Sequence, residues 1–481
     1  MTILHLRIDE SAGVPIHRQI YQGLRQAILD GVLRPGQQIP STRTLATQLA
    51  VSRQPVLSAY EQLLHEGYLG SRTGSGTFVS ATLPDELLRS PPLPAMDRLA
   101  AATRSSFRPV PGAWDEGGLG PFRISVPALD SFPQAVWARL VARHAIAAPH
   151  DHMAYGDPAG LAPLRVAIAE HLRTARAVNC EPEQVLVVSG SQAALRLASA
   201  ILLEAGDRVA VEEPGYPGAR AALCEGGAEV VSVPIDEQGM SVASLSEGDG
   251  KLRAAYVTPS HQYPLGTLMS AARRQALLDW AVRTRAWIIE DDYDSEFRYV
   301  GRPLGAIQGM ATRESVVYIG TFSKALFPAV RVGYLVVPPA LWERFVRARE
   351  AFDLFSPTLY QLALADFLRE GHFSRHLRRM RVLYLDRRNA LLDGLGRHCA
   401  QFLGVLNAEA GLHVATELKE QLDDREVVRR MARRGLTATA LSMCYAGPDR
   451  RNGLLLGFGG STEEQLLEAT RVLGEVLGAS R

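Results

Sequence analysis

Lys324 stands in TFSKALFPAVRVGY, residues 321–334, where an apolar run ends in two hydroxyl residues and an arginine follows seven positions later. Partial burial and a neighbouring cation lower the pKa of an amine and leave it nucleophilic. The segment therefore suits a Schiff base beside a phosphate subsite, with an ion-paired lysine at a core rim as the plain alternative. Only three of the 52 basic residues are lysines (Lys251, Lys324 and Lys419), so a lysine in this setting stands out from its background.

A second stretch, WIIEDDYDSEF (287–297), carries Asp291 and Tyr293 just after an apolar strand. Ligands collect at the carboxyl ends of parallel strands. Pyridoxal phosphate needs a carboxylate against its ring nitrogen, because the protonated ring is the electron sink, and it gains from a phenol near its 3-oxygen. Asp-x-Tyr supplies both from one strand end. A solvated acidic loop is the other reading, since Glu290, Asp292, Asp294 and Glu296 surround the pair.

Four more segments fit the same chemistry. VLVVSGSQAAL (185–195) reads as strand, Gly/Ser turn and helix start, so the N–H groups of Ser191 and Gln192 suit a phosphate. EEPGYPG (212–218) presents Tyr216 on a loop shaped for stacking on a flat ring. TPSHQYPLG (258–266) offers polar groups after another strand, and YGDPAGLAPLR (155–165) places Tyr155 on a loop that enters a helix.

Alternating elements must hold these groups. Strands are expected at Val185–Val188, Arg208–Val211, Glu229–Val233, Ala254–Val257, Ala286–Ile289, Val316–Ile319 and Val332–Val337. Helices are expected at Gln192–Glu204, Ala219–Glu225, Ala271–Arg283 and along the arginine-rich run 361–395. Buried β-branched strands between helices imply an α/β domain, a mostly parallel sheet covered on both faces, with a smaller α+β lobe over the last hundred residues or so.

The N-terminal 80 residues follow another plan. Ile16, Ile20, Leu24, Ala27 and Ile28 share one helical stripe, Ser41 and Ser52 are placed to cap two short helices, and YLGSRTGSGTFVS reads as a β-ribbon. Three helices and a ribbon make a winged helix-turn-helix, which sets one helix into a DNA groove. Arg43, Ser52, Arg53 and Gln54 at the helix starts, with Thr73, Gly74 and Ser75 in the wing, are the candidate DNA contacts. Seven arginines against five acids leave this module only weakly basic, so affinity rests on dimerisation and placed contacts. Residues 81–113 hold six prolines within ATLPDELLRSPPLPAMDRLAAATRSSFRPVPG and read as a semi-rigid linker, with a short helix expected around 95–103.

Whole-chain arithmetic excludes several classes. With 481 residues, 47% hydrophobic and 21% charged, the chain is globular and long enough for two or three domains. A formal net charge of +1 gives no general field for nucleic acid or membrane. Cys180, Cys224, Cys399 and Cys444 are scattered, which speaks against a zinc site or disulfide framework and fits a reducing cytoplasm. No apolar run reaches the roughly 18 residues of a membrane span, and MTILHLRIDE lacks an export signature. No metal site is expected.

Taken in order, the six segments from YGDPAGLAPLR to TFSKALFPAVRVG make residues 114–481 resemble the fold-type I aminotransferases. The resemblance implies Lys324 as the Schiff-base lysine, Asp291 under the pyridine nitrogen, Tyr293 at the 3-oxygen and Tyr216 stacked on the ring. It implies Ser191, Gln192, Thr321, Ser323 and Arg331 around the phosphate, with Tyr155 reaching it from a neighbouring subunit. Two departures are visible. Tyr263 stands where the family's Asn-Pro-x-Gly asparagine would be, and the strand that normally carries a substrate-carboxylate arginine reads GLLLGFGG (453–460), with Arg450 and Arg451 just upstream. The lack of a bidentate clamp argues against efficient turnover of ordinary α-amino acids.

Residues 1–80 resemble GntR-type winged helices, and the fusion as a whole resembles the MocR-type (GabR-like) transcription regulators. That resemblance implies a homodimer, pyridoxal phosphate on Lys324, and binding to a double-stranded DNA operator under the control of an amine or amino-acid-type effector or of pyridoxal phosphate itself. A working aminotransferase with a DNA-binding appendage is the competing class.

Overall fold

Ile20, Leu24 and Ile28, each one turn from the next, form the buried stripe of α1 (Ile16–Leu29), and the N-terminal core grows from them. In the computed structural model the described residues are 6, 8–9, 13–72, 76–84, 118–146, 150–245, 251–300, 305–419, 422–448 and 450–479. The chain divides into two compact units, Met1–Ser105 and Ser106–Arg481.

In the first unit, α2 (Thr42–Gln48) starts where the Ser41 hydroxyl accepts the Thr44 N–H. Helix α3 (Arg53–His65) starts after Ser52, which holds the N-cap position but makes no side-chain capping bond there, unlike Ser41. Leu45, Val56, Tyr60 and Leu63 pack on α1, and β1 (Leu69–Arg72) pairs antiparallel with β2 (Gly76–Val79). Residues 85–113 of the expected linker, including the helix anticipated around 95–103, lie outside the described residues.

In the second unit an eight-stranded sheet carries β3 (Val185–Val188), β4 (Arg208–Glu213), β5 (Glu229–Asp236), β6 (Gly239–Met240), β7 (Leu252–Val257), β8 (Trp287–Asp292), β9 (Val316–Thr321) and β10 (Gly333–Val336). Its spatial order is β3-β10-β9-β8-β7-β4-β5-β6. The pairs β9-β8, β8-β7, β7-β4 and β4-β5 are parallel, whereas β10 runs antiparallel to both β3 and β9. Alternate residues feed two layers. Val209 and Val211 pack towards α6 (Ser191–Leu202) and α7 (Pro217–Cys224), and Ala210 packs towards α8 (Ala271–Thr284). Helices α4 (Gln134–Ile146) and α5 (Ala162–Arg176) complete the cover, with the single turn α9 (Ile307–Met310) packed against α8 and β9.

After α10 (Trp342–Asp353), the arginine-rich run differs from its expected form. It is two helices, α11 (Thr358–Arg369) and α12 (His372–His398), because Gly371 takes φ +71° between them and ends the first. The C-terminal lobe is an antiparallel sheet of β11 (Leu403–Asn407), β12 (His413–Leu418), β14 (Gly453–Gly457) and β13 (Thr439–Ala440), backed by α13 (Asp424–Arg433) and α14 (Glu463–Gly478). The strands are laid out in that order across the sheet.

The segment 121–126 of the second unit lies across the end of β14. The Gly457 N–H donates to the Phe122 carbonyl, and a Cβ on Gly457 would overlap the carbonyl oxygen of Arg123. Among the described residues no helix is long and apolar enough to cross a membrane.

Candidate functional site

Strand β8 ends in a run of acids, and the sheet buries them. Glu290, Asp291, Asp292 and Asp294 are all buried, which overturns the solvated-loop reading. Each has its own anchor. Glu290 accepts the N–H groups of Ile307 and Gln308, Asp292 accepts from Arg176 and Tyr318, and Asp294 faces His261. Burial acts to raise Asp292, but the Arg176 guanidinium and the Tyr318 hydroxyl hold it below the ordinary carboxylate range.

Asp291 accepts from the Tyr256 hydroxyl at 2.8 Å through Oδ2, while its Oδ1 is buried without a partner. Burial, helped by Asp292 and Asp294 and opposed by Tyr256 and Lys324, pushes it up to about 7. An unpaired buried carboxylate oxygen is costly and calls for a donor. A protonated ring nitrogen is such a donor.

Lys324 sits on the turn after β9. Burial pushes its amine down to about 8, against the pull of Asp294 and Asp291, and Nζ donates to the Ser125 carbonyl at 3.3 Å. Thr321 ends β9 and accepts the Ser323 N–H on its hydroxyl at 3.2 Å. Across the cleft α6 begins at Ser191 after Gly190, whose φ is +99°. The Arg331 guanidinium lies 3.2 Å from where a Cβ on Gly190 would stand. The free N–H groups of the first turn of α6, the Arg331 cation and the hydroxyls of Thr321 and Ser323 are the donor set a phosphate takes.

Tyr216 accepts from Gln192 Nε2 at 3.0 Å, and its ring meets Tyr263 edge-on at 5.4 Å. Tyr293 donates from its hydroxyl to the His261 carbonyl at 2.9 Å and lies 3.0 Å from His261 Nδ1. Tyr155 is 85% exposed, with its ring edge-on to Phe355. Leu454 and Leu456 point into the main core, whereas Leu455 packs with Ala415, Leu441 and Cys444 beside Tyr263 and Ile124. Arg451 is exposed and 3.9 Å from Glu417, and Arg450 donates to the Gly447 carbonyl, so both are engaged locally.

In the first unit Arg43, Ser52, Arg53 and Gln54 are all exposed. Arg53 Nε donates to the Thr42 hydroxyl at 3.2 Å, tying together the starts of α2 and α3. Thr73, Gly74 and Ser75 lie outside the described residues. Sequence reading did not single out His261, Asp294, Tyr256 or the Ser125 carbonyl. The histidine and aspartate stood inside motifs already in view, while Tyr256 and Ser125 carried no local signal.

Residues 125–473 match the family model for aminotransferase class I and II, and residues 16–79 match that for bacterial regulatory proteins of the gntR family. Fold and site thus define an α/β protein in which a gntR-type DNA-binding domain precedes a domain of the pyridoxal-phosphate-dependent aminotransferase fold. The chain belongs to the MocR-type transcription regulators that share this architecture. It is 40% identical over 472 residues to "Probable rhizopine catabolism regulatory protein MocR" of Rhizobium meliloti, covering 97% of this chain and 95% of that one. It is 37% identical over 463 residues to "HTH-type pyridoxine biosynthesis transcriptional regulator PdxR" of Corynebacterium glutamicum, covering 96% of each. Among solved structures it resembles LysN, an α-aminoadipate aminotransferase from Thermus thermophilus complexed with N-(5'-phosphopyridoxyl)-L-leucine. That match has a TM-score of 0.71 at 29% identity and covers 80% of this chain and 97% of that one.

Proposed function

We propose that this regulator holds pyridoxal phosphate on Lys324 and that an amine-type ligand, or the cofactor itself, sets its affinity for a DNA operator. The observation that carries the reading is the buried, unpaired Oδ1 of Asp291 in the same pocket as a lysine whose amine is pushed down to about 8. Bound there, pyridoxal phosphate supplies a reactive aldehyde and an electron-withdrawing ring.

The chain's own residues do the rest. Lys324 offers the neutral amine, and Asp291 holds a proton on the ring nitrogen. Ser191, Gln192, Thr321, Ser323 and Arg331 bind the phosphate. Tyr216 would pack on the ring, and the Tyr293 hydroxyl would donate a hydrogen bond to the 3-oxygen. Tyr155, exposed on its own chain, completes the site of a partner subunit in a homodimer. Residues 1–80 bind DNA through Arg43, Ser52, Arg53, Gln54 and the wing at Thr73, Gly74 and Ser75, residues 81–113 link, and residues 114–481 sense, all in the cytoplasm.

Leu455 sharpens the ligand class. It is fully buried and apolar on the strand where this fold commonly carries an arginine for the substrate carboxylate. A leucine in place of that arginine favours a ligand without a carboxylate at this point, pyridoxal phosphate included. A ligand can move the DNA equilibrium only if it binds the two states with different affinity. The test is the visible absorbance of the purified full-length protein, followed by operator binding with and without pyridoxal phosphate and simple amines. A coloured protein whose operator affinity shifts with either ligand supports the reading. A protein that stays colourless after adding the cofactor, or one whose affinity answers to neither, overturns it.

A further inference from the structure

His261 and Asp294 lie beside the Lys324 pocket, and none of the roles assigned above uses either of them. Both are buried, and the imidazole Nδ1 lies 3.0 and 3.1 Å from the two oxygens of Asp294. An ionised carboxylate only accepts hydrogen bonds, so Nδ1 carries the proton. Gly411 lets the pair sit against its backbone, since a Cβ there would overlap the ring's Cε1 and approach Asp294 Oδ2. With Nδ1 committed as a donor, the nitrogen has no lone pair for Tyr293, although the phenol oxygen is 3.0 Å away. The Tyr293 proton therefore rests on the His261 backbone carbonyl at 2.9 Å, and its oxygen can receive the Nδ1 proton. A backbone carbonyl is a neutral acceptor and yields to an anionic oxygen.

We propose that Asp294 and His261 are a positioning pair that fixes the tautomer facing Tyr293, keeping the phenol O–H available to donate a hydrogen bond to the 3-oxygen of the cofactor. The proposal rests on Lys324 being the cofactor's amine. With a neutral amide at position 294, Nδ1 can turn acceptor and take the phenol's hydrogen bond, because the group a histidine faces decides which of its nitrogens carries the proton. The other groups facing the pair are accounted for. Tyr263 lies 6.2 Å from Tyr293, ring to ring. Asp291 and Glu212 act on Tyr293 as charges, and Asp294 and Asp291 act on Lys324. His413, 5.3 Å from His261 ring to ring, is bonded through Nε2 to the Pro264 carbonyl and is held neutral by burial, which pushes it down to about 4.

Asp294 can also act by simple charge on Lys324, and a double-mutant cycle separates the two routes. The full-length protein loaded with pyridoxal phosphate is titrated with pH by its visible absorbance as wild type, Asp294→Asn, Tyr293→Phe and the double variant. Asp294→Asn is expected to move the apparent pKa by about one unit or more, a tenfold change. In the Tyr293→Phe background the same substitution is expected to move it less than half as far. Equal shifts in both backgrounds, or none in either, overturn the proposal. Should Asp294→Asn fail to fold, His261→Gln removes the ring and keeps the carbonyl; it is expected to shift the titration as well, and a wild-type curve overturns the proposal. A wild type that shows no visible band overturns the Lys324 reading itself, a result distinct from an additive cycle.

Discussion

The Lys324 amine lies 3.3 Å from the carbonyl oxygen of Ser125, joining the turn after β9 to the segment 121–126 that crosses the end of β14. Ser125 holds φ +68° and Phe122 φ +72°, left-handed conformations that cost non-glycine residues about 1–3 kcal/mol. They persist because the segment is fixed at both the lysine and β14.

Removing the amine tests the cofactor and this contact together. Lys324→Ala is expected to abolish covalent retention of pyridoxal phosphate and any ligand response in operator binding. The fold should change in stability by no more than about 1–2 kcal/mol, the scale of one hydrogen bond. Absorbance, melting and operator titration read the three effects separately.

The pKa of Lys324 sets a pH window. With the amine at about 8, the neutral fraction rises roughly fivefold between pH 7 and 8 and saturates above pH 9 or so, whereas an ordinary lysine keeps gaining past pH 10. Capture of added pyridoxal phosphate by the apo-protein is expected to follow that curve in stopped-flow absorbance. The linkage sign is set by the unfolded lysine, which still holds its proton between about pH 8 and 10.5 when the native one has lost it. This group therefore adds stability as pH rises through that range.

Three buried acids act in the opposite sense at lower pH. Burial is the largest cause that pushes Asp291, Glu212 and Glu290 up to about 7. Between the ordinary carboxylate range and pH 7 the native state holds protons that the unfolded chain has released, so their contribution falls as pH rises. Burial pushes His171, His376 and His413 down to about 4, and these act in the other sense over the same window, so the test is a difference: the melting temperature of apo Glu212→Gln should fall less, or rise more, from pH 5 to 7.5 than that of wild type. An unchanged slope would rule out Glu212 as a source.

DNA contact is tested from the other unit. Arg53→Ala is expected to weaken operator binding by about 1–3 kcal/mol if the side chain reads a base edge. If it meets a phosphate instead, the salt slope should fall by about one. In both cases the cofactor spectrum should match wild type.

Close backbone approach makes Gly457 sensitive. A methyl group there meets the Arg123 carbonyl, which is backbone and has little freedom to yield. Gly457→Ala is expected to cost about 1–3 kcal/mol and to change the absorbance pH profile of the bound cofactor by shifting Ser125 away from Lys324. A wild-type profile with lowered melting would confine the effect to packing.

The large sheet was readable because β3 and β9 are buried along their whole length and so appear as unbroken apolar runs. The places of Lys324, Asp291 and Tyr293 at or just past the ends of strands are readable for a related reason, since each follows such a run. The acids around Asp291 were harder. Their partners, Arg176 for Asp292 and the Ile307 and Gln308 amides for Glu290, are distant in sequence, so a charge cluster with buried anchors looks the same as one in water. The break at Gly371 was hidden because the arginine-rich pattern continues across it. His261 and Asp294 were visible as letters, but their meaning depends on two loops meeting.

One consequence follows from the reversed direction of β10. Gly333 pairs with Thr321 on one side and with Val188 on the other, so the loop from 322 to 332 leaves and returns at the same rim. Lys324 and Arg331 are thereby tethered to neighbouring strands as the two jaws of a single clasp. A change in the length of that loop would misalign the amine and the guanidinium together, even with every other residue of the cleft left in place.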